Sequence, residues 1–409
     1  MTDKKIVLTN IGELVTYDST LGGMRIYQQV EMVVGQGKII AIGKSVGSPE
    51  MTRWNAAGAL VTPGFIDAHT HPVFNATREA EYEMRLRGQT YQAIAQAGGG
   101  ILSSARSLAE ADWMKLENMV RQRLTGFLRY GTTTIEAKSG YALSVEGELR
   151  SLRLLKRLAE EHPLDVYTTF LGAHEYPAEY KSNHEAYLEL LIKDMLPTVV
   201  REGLAQFCDV FCEEGVFSVA EARQVLTAAK FLGLGLRLHA DEFKAIGAVP
   251  LAQSLGAFSA DHLTAITDEG IEILKAGRIV PILLPATTFF LGSGRYAPAR
   301  RMWEAGLPVA LATDYNPGSA MTQSMPLVIS LACLQMQLTP LEAIQAATYH
   351  AARSLRIENT HGSLEPGKQA DFVLWKFPHY QGIPYFLGFP SVRAVWKKGQ
   401  LVWEDASAL

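Results

Sequence analysis

Cysteine is scarce in this chain: Cys208, Cys212 and Cys333 are its only three in 409 residues. That number is too small and too odd for a disulfide framework, which fits a reducing compartment. Long hydrophobic runs are absent too, since no apolar stretch approaches the ~18 residues a membrane span needs. The opening Met1-Thr2-Asp3-Lys4-Lys5 leads into a short strand-like run rather than the apolar region of a signal peptide. A cytoplasmic location is expected. Charge of one sign is not in excess either, with 38 Lys and Arg against 42 Asp and Glu. Neither nucleic acid nor an anionic membrane is therefore expected as a partner. There is no low-complexity segment and no internal repeat beyond an alternation of strand and helix.

What is present is enough apolar material, 48% of residues, for a large buried core, and a length that suggests one large domain plus a smaller one. The first sixty residues or so and the last fifty read as strand and turn. Met32-Val33-Val34, Gly37-Lys38-Ile39-Ile40-Ala41-Ile42-Gly43 and Asp371-Phe372-Val373-Leu374-Trp375 are β-branched or aromatic runs bounded by Gly, Pro and Asp. Between about Gly64 and Leu355, short apolar runs alternate with helical patterns. The candidate strands are 65–67, 132–136, 166–171, 207–212, 235–239, 258–261, 279–284 and 309–313. Capping boxes are expected at Ser107 with Glu110 and Ser218 with Glu221, and Thr339-Pro340-Leu341-Glu342 marks another helix start. Gly131 and Gly233 are expected helix stops. Eight strands alternating with helices predict a (β/α)8 TIM-type barrel whose functional groups sit at the C-terminal strand ends.

Several of these apolar runs end in His or Asp. In Phe65-Ile66-Asp67-Ala68-His69-Thr70-His71, the two imidazoles are spaced to face the same way from an extended backbone. His239 closes the fifth run, Asp261-His262 the sixth and Thr313-Asp314 the eighth. His69, His71, His239 and Asp314 together make three imidazoles and one carboxylate, a set suited to zinc or iron with a position left for water. A cation of that kind lowers the pKa of its water toward neutrality and makes hydroxide available as a nucleophile. Cys208 and Cys212 read instead as small core residues of one strand.

Pro63-Gly64-Phe65-Ile66-Asp67-Ala68-His69-Thr70-His71, His239 and the Thr313-Asp314 pair resemble the amidohydrolase superfamily along essentially the whole chain. The resemblance implies that residues 1–63 and 356–409 combine into a small β-sandwich beside a catalytic barrel of residues 64–355. The closing run from Gly362-Ser363-Leu364-Glu365-Pro366-Gly367 to Val373 is similar to the family's return into that sandwich. Finer motifs are Val73-Phe74-Asn75-Ala76-Thr77-Arg78-Glu79, Ala97-Gly98-Gly99-Gly100-Ile101, Lys138-Ser139-Gly140-Tyr141, Thr169-Phe170-Leu171-Gly172-Ala173-His174, His239-Ala240-Asp241-Glu242 and Thr313-Asp314-Tyr315-Asn316-Pro317-Gly318-Ser319. They resemble the branch of the superfamily that opens a propionate-bearing imidazolone ring in histidine degradation.

That resemblance implies one divalent or trivalent metal ion per subunit, zinc or iron, a small-molecule substrate with a carboxylate tail, and a homodimer. It implies attack of hydroxide on the ring carbonyl, with Asp314 taking a proton from the water. His262 would hydrogen-bond the attacking water or the developing oxyanion, and Glu242 would protonate the departing ring nitrogen. Arg78 offers a bidentate fork to the carboxylate, Tyr141 and His174 add donors, and Asn316, Gly318 and Ser319 hold the ring amide or the new carboxylate. Gly98 to Gly100 mark a loop able to move over the site.

Other readings accompany this one. Arg78 pairing with Glu79 or Glu81, and Tyr141 as a packing aromatic, are the plainer alternatives. His162, His184, His350, His361 and His379 are expected to be solvated or structural. Strand four ends in Cys212-Glu213-Glu214, without the carboxylated lysine that bridges two metals in some amidohydrolases, so a single metal is expected and Lys138 is assigned to electrostatics or to positioning its neighbours. A cytosine- or guanine-type deaminase shares His239, Glu242, His262 and Asp314 but has no use for a carboxylate anchor. A silent scaffold predicts loss of a ligand or of the acid, and all are present.

Overall fold

In the computed structural model, which describes residues 5–90, 93–94 and 97–406, all eight expected barrel strands form. They are β1 (Phe65–Thr70), β2 (Thr132–Lys138), β3 (Asp165–Ala173), β4 (Phe207–Cys212), β5 (Gly235–Ala240), β6 (Ser259–His262), β7 (Val280–Leu283) and β8 (Ala310–Leu311). They pair in parallel, in chain order, in one eight-stranded sheet. Each residue of β1, β2 and β4 is buried, because one face of a barrel strand packs the interior and the other lies under helices.

The strand ladder does not itself close between β8 and β1. There the Asp314 N–H donates to His69 O at 3.0 Å, the His71 N–H donates to Tyr315 O at 2.9 Å, and Thr70 bridges Tyr315. The buried Asp67 carboxylate accepts the Thr313 N–H at 3.0 Å and its hydroxyl at 2.6 Å. β8 was expected to run to Thr313. It ends at Leu311 because the Thr313 amide is taken by a side chain and Asp314 turns into the left-handed region, at φ 54°.

Helix starts follow the expected chemistry with one exception. Ser218 with Glu221 and Thr339 with Glu342 form complete capping boxes. Gly131 and Gly233, at φ 82° and 88°, follow the ends of two helices. Ser107 is not a cap: it lies inside the helix Ile101–Ala109, where its carbonyl and hydroxyl accept from Asn75. The next helix, Trp113–Leu128, starts from Asp112, whose carboxylate accepts two backbone N–H groups. Ser107, five residues before Asp112, matches the capping-box spacing to Glu110 by coincidence.

The chain ends build two further sheets. One holds Ile6–Thr9, Glu31–Gly35, Lys38–Gly43 and Thr52–Asn55; the other holds Glu13–Asp18, Gly23–Gln28, Val61–Pro63, Phe372–Trp375, Val392–Lys397 and Gln400–Glu404. Val61–Pro63 pairs antiparallel with Phe372–Trp375, joining the two ends of the chain. Leu8, Met32, Ile39, Phe372, Leu374 and Trp396 form a core separate from that of the barrel.

Asp165, at the first residue of β3, anchors the C-terminal segment to the barrel. It accepts from His361 Nε2 at 2.9 Å, Gln369 Nε2 at 2.8 Å and Lys398 Nζ at 3.1 Å, and pairs with Lys397. Burial alone raises this carboxyl's pKa, but the His361 hydrogen bond and the Lys397 charge outweigh it and hold the group well below the ordinary carboxylate range. Its stabilisation is therefore complete above the unfolded-state value of about 4 and fades as pH falls below it. Asp165→Asn is expected to cost about 2 kcal/mol at neutral pH, less than for a fully buried ion pair. The difference between the two proteins in denaturant titrations should stay constant above about pH 5 and narrow progressively as pH is lowered below about 4.

Candidate metal centre and substrate pocket

The seam between β8 and β1 places Asp314 against the His-x-His strand end. His69 Nε2 and His71 Nε2 lie 3.2 Å apart, and Asp314 Oδ1 is 3.5 Å from the first and 3.4 Å from the second. The ring of His239, at the end of β5, is 4.6 Å from that of His69 and 5.7 Å from that of His71. His262, which follows Asp261 on β6, also converges, so that ligand atoms of His69, His239 and His262 lie within 4.8 Å of one another. All five residues are buried. His262 and Asp314 hold left-handed backbone, at φ 77° and 54°, a cost tolerated where the surroundings force a side chain into place.

The donor set fits a metal cation. His69 Nδ1 is 2.7 Å from Asp261 Oδ2, and His239 Nδ1 is 3.0 Å from Asp209 Oδ2. A proton on Nδ1 of either ring would face a carboxylate, through a hydrogen bond at His69 and a close approach at His239, and would leave Nε2 free toward the centre. Burial pushes the pKa of His69 and of His71 well below the ordinary value, and that of His262 to about 3. Two imidazole nitrogens 3.2 Å apart, with a carboxylate oxygen within 3.5 Å of both, make a donor set that a cation between them would satisfy. Thr287 donates to the other oxygen of Asp314, Oδ2, at 2.6 Å, leaving Oδ1 toward the imidazoles.

Above this centre is a pocket lined by His71, Arg78, Tyr141, His174, His239, Glu242, His262, Asp314, Asn316 and Ser319. Two residues expected in the site are outside that lining. His69 is fully buried. Gly318 backs onto Arg78, where a Cβ would sit 1.1 Å from Nη2. Arg78 Nε is 3.7 Å from Glu81, the partner of the plainer reading. Its Nε and Nη1 are nevertheless buried without a hydrogen bond, so the guanidinium keeps donors in reserve. His174 Nδ1 is 2.8 Å from Gly140 O, and its ring stacks on His71 at 5.2 Å. Asn316 is occupied with its own loop: its amide donates to Asp314 O at 2.7 Å and accepts the Gly318 and Ser319 N–H groups, each at 2.8 Å.

Glu242 Oε1 stands 3.6 Å from His262 Nδ1. Burial, and then the negative charges of Asp314 and Glu213, raise the Glu242 carboxyl well above its ordinary pKa, which favours its protonated form.

Sequence reasoning missed the supporting groups. Asp209 and Asp261 orient imidazoles; Glu148 accepts the N–H groups of Gly140, Ala142 and Leu143 and so fixes the loop carrying Tyr141. Phe211, Phe243, Ile101 and Leu291 supply apolar walls. The available signal was an acidic residue in the middle of an apolar strand, as in Phe207-Cys208-Asp209-Val210. His162, His184, His350, His361 and His379 lie outside the pocket lining, each with its own hydrogen-bond partner.

Residues 60–402 match the amidohydrolase family. The chain belongs to the amidohydrolase family. Among curated amidohydrolases it is similar to the imidazolonepropionase of Geobacillus kaustophilus (strain HTA426), 49% identical over 351 residues that cover 86% of this chain and 82% of that one. The imidazolonepropionase of Solibacter usitatus (strain Ellin6076) is 48% identical over 386 residues, covering 94% and 92%. Among solved structures, guanine deaminase of E. coli superposes with a TM-score of 0.72 at 18% identity, covering 99% of this chain and 100% of that one. At that identity the likeness is one of fold.

If Asp261 sets the ring orientation of His69, Asp261→Asn should weaken metal retention about ten- to a hundredfold. Metal analysis after dialysis against a chelator measures this, with circular dichroism to check that the fold is kept.

Proposed function

We propose that this amidohydrolase is an imidazolonepropionase, hydrolysing 4-imidazolone-5-propanoate to N-formimino-L-glutamate. The observation that carries the reading is the buried Arg78 guanidinium with unspent donors at the edge of a His and Asp centre. A carboxylate tail would take up those donors, and a nucleobase has no such group. The similarity to curated imidazolonepropionases over most of the chain supports the same choice.

His69, His71, His239 and Asp314 would hold a single ion, zinc or iron, which supplies Lewis acidity by polarising a carbonyl oxygen and acidifying water. The chain's own groups do the rest. Arg78, with Tyr141 and His174, holds the propionate and turns the ring carbonyl toward Asp314. Asp314 accepts a proton from the attacking water, whose oxygen bonds to the carbonyl carbon. His262 hydrogen-bonds that water or the oxyanion as charge develops. The ring C–N bond breaks, and Glu242 gives its proton to the departing nitrogen. The loop of Asn316, Gly318 and Ser319 receives the new carboxylate through backbone and side-chain contacts. The phenyl ring of Phe243 and the side chain of Leu291 form part of the pocket's apolar wall.

The division into a catalytic barrel of residues 64–355 and a composite sandwich of residues 1–63 and 356–409 belongs to the same proposal. It is supported by terminal sheets whose strands all fall in 6–63 and 372–404. Among the described residues no helix is long and apolar enough to cross a membrane. A cytoplasmic homodimer without nucleic-acid or membrane partners is the setting we propose.

The test is an anaerobic assay with freshly generated 4-imidazolone-5-propanoate, following loss of its ultraviolet absorbance, beside cytosine and guanine controls. Turnover of the imidazolone alone, lost on chelation and regained on adding zinc or iron, is the expected result; deamination of a nucleobase instead would overturn it. Glu242→Gln should keep the metal while kcat falls about a hundredfold or more. In Gly318→Ala the new methyl displaces the Arg78 guanidinium, and KM should rise about ten- to a hundredfold with a smaller change in kcat.

A further inference from the structure

Beneath the pocket lies a layer of buried charge to which the proposed reaction assigns no task. Lys138, the last residue of β2, donates to Glu136 Oε1 and to Asp209 Oδ2, each at 2.8 Å, and stands 3.9 Å from Asp261 Oδ2. Arg237, two residues before His239 on β5, donates to Ala68 O at 2.8 Å and to Ser354 O at 3.2 Å. It lies 3.6 Å from Asp261 Oδ2 and 3.8 Å from Glu136 Oε1. The side chains of all five residues have no solvent exposure.

The three carboxylates differ in where they lead. Asp209 uses Oδ1 to accept the backbone N–H of His239 at 3.1 Å and sets Oδ2 3.0 Å from that residue's Nδ1. Asp261 meets His69 through the side chain alone, with Oδ2 2.7 Å from Nδ1. Among the described residues no hydrogen bond or ion pair joins Glu136 to an imidazole; its partners include Lys138, Thr169 and the Thr70 backbone. Asp209 Oδ2 is thus shared between an ammonium below it and an imidazole above it. Desolvating an ammonium costs several kcal/mol, so packing alone would be better served by an apolar side chain of similar volume.

We propose that Lys138 is a positioning residue for the metal centre. Its ammonium pins Asp209 Oδ2 at the point from which that oxygen holds the Nδ1 edge of His239, and so keeps His239 Nε2 aimed at the pocket. The inference rests on the metal-centre reading and deepens it. It distinguishes Lys138 from the residues that touch substrate, and it makes Asp209, which accepts directly from Lys138, the route to His239, in contrast to the longer 3.9 Å approach to Asp261.

The test is a double-mutant cycle on zinc affinity, measured by titrating zinc into chelator-stripped protein against a chromophoric competitor. Thermal unfolding of each stripped protein reports folding. Lys138→Met and Asp209→Asn should each weaken zinc binding about ten- to a hundredfold. The double variant Lys138→Met with Asp209→Asn should be no more than about twofold weaker than the weaker single variant, because both changes break one chain of contacts. Glu136→Gln, which leaves the Lys138 to Asp209 bond in place, should bind zinc within about threefold of the unaltered protein. If Lys138→Met does not fold, the cycle is run with Lys138→Met and Glu136→Gln together, a change that removes both members of the ion pair.

Unchanged zinc affinity in the folded Lys138→Met protein overturns the inference, as do multiplying losses in the double variant or an equal loss in Glu136→Gln. An unaltered chain that takes up no zinc overturns the metal-centre reading itself, and is told apart because the failure then precedes any substitution.

Discussion

The seam where β8 meets β1 is the constraint on which the site depends. Two backbone hydrogen bonds and the Asp67 carboxylate close the barrel there in place of a strand ladder. The same contacts bring Asp314 within 3.5 Å of two imidazoles that lie more than 240 residues earlier in the chain. A regular ladder would continue β8 past Thr313 and turn Asp314 with the strand. Taking the Thr313 amide onto a side chain instead lets the backbone enter the left-handed region at Asp314 and aim its carboxylate inward.

Below that seam the barrel interior changes from apolar packing to paired charge. Burying two cations and three carboxylates is costly, and apolar residues pack better at lower cost. The arrangement makes sense as support: oxygens of Asp209 and Asp261 meet imidazole edges from beneath, and Lys138 and Arg237 offset their charge. Polar residues are therefore stacked in two levels, one that orients and one that faces the pocket. Glu242 belongs to the upper level, in the loop after β5, where burial favours its protonated form.

The pocket wall follows the same division between rigid strand ends and braced loops. Glu148, on a helix, ties down three backbone amides of the loop bearing Tyr141. Asn316 does the same for the loop after Asp314. These braces explain how loops without regular structure can present groups at fixed distances. Arg78 stands apart, because much of its hydrogen-bonding capacity is not used by the protein.

Much of the fold was legible in the chain. Eight apolar runs ending in polar residues foretold the barrel strands, since alternation of short β runs with amphipathic helices is a local pattern that survives without tertiary information. The His-x-His pair, His239 and Asp314 were readable for a similar reason: each ends such a run, and strand ends converge at one mouth of a barrel. Asp209, Asp261 and Glu148 were not readable. Their meaning lies in what they face across the barrel, and an acidic residue within an apolar run has no local signature that separates an orienter from an anomaly. The capping box expected at Ser107 failed likewise, because a spacing of three also occurs inside a helix. The sequence by itself determined the strand order and the residues that meet at the mouth of the barrel. Only the tertiary structure decided their orientation and their supporting partners, because both depend on through-space distances across the barrel that no local spacing encodes.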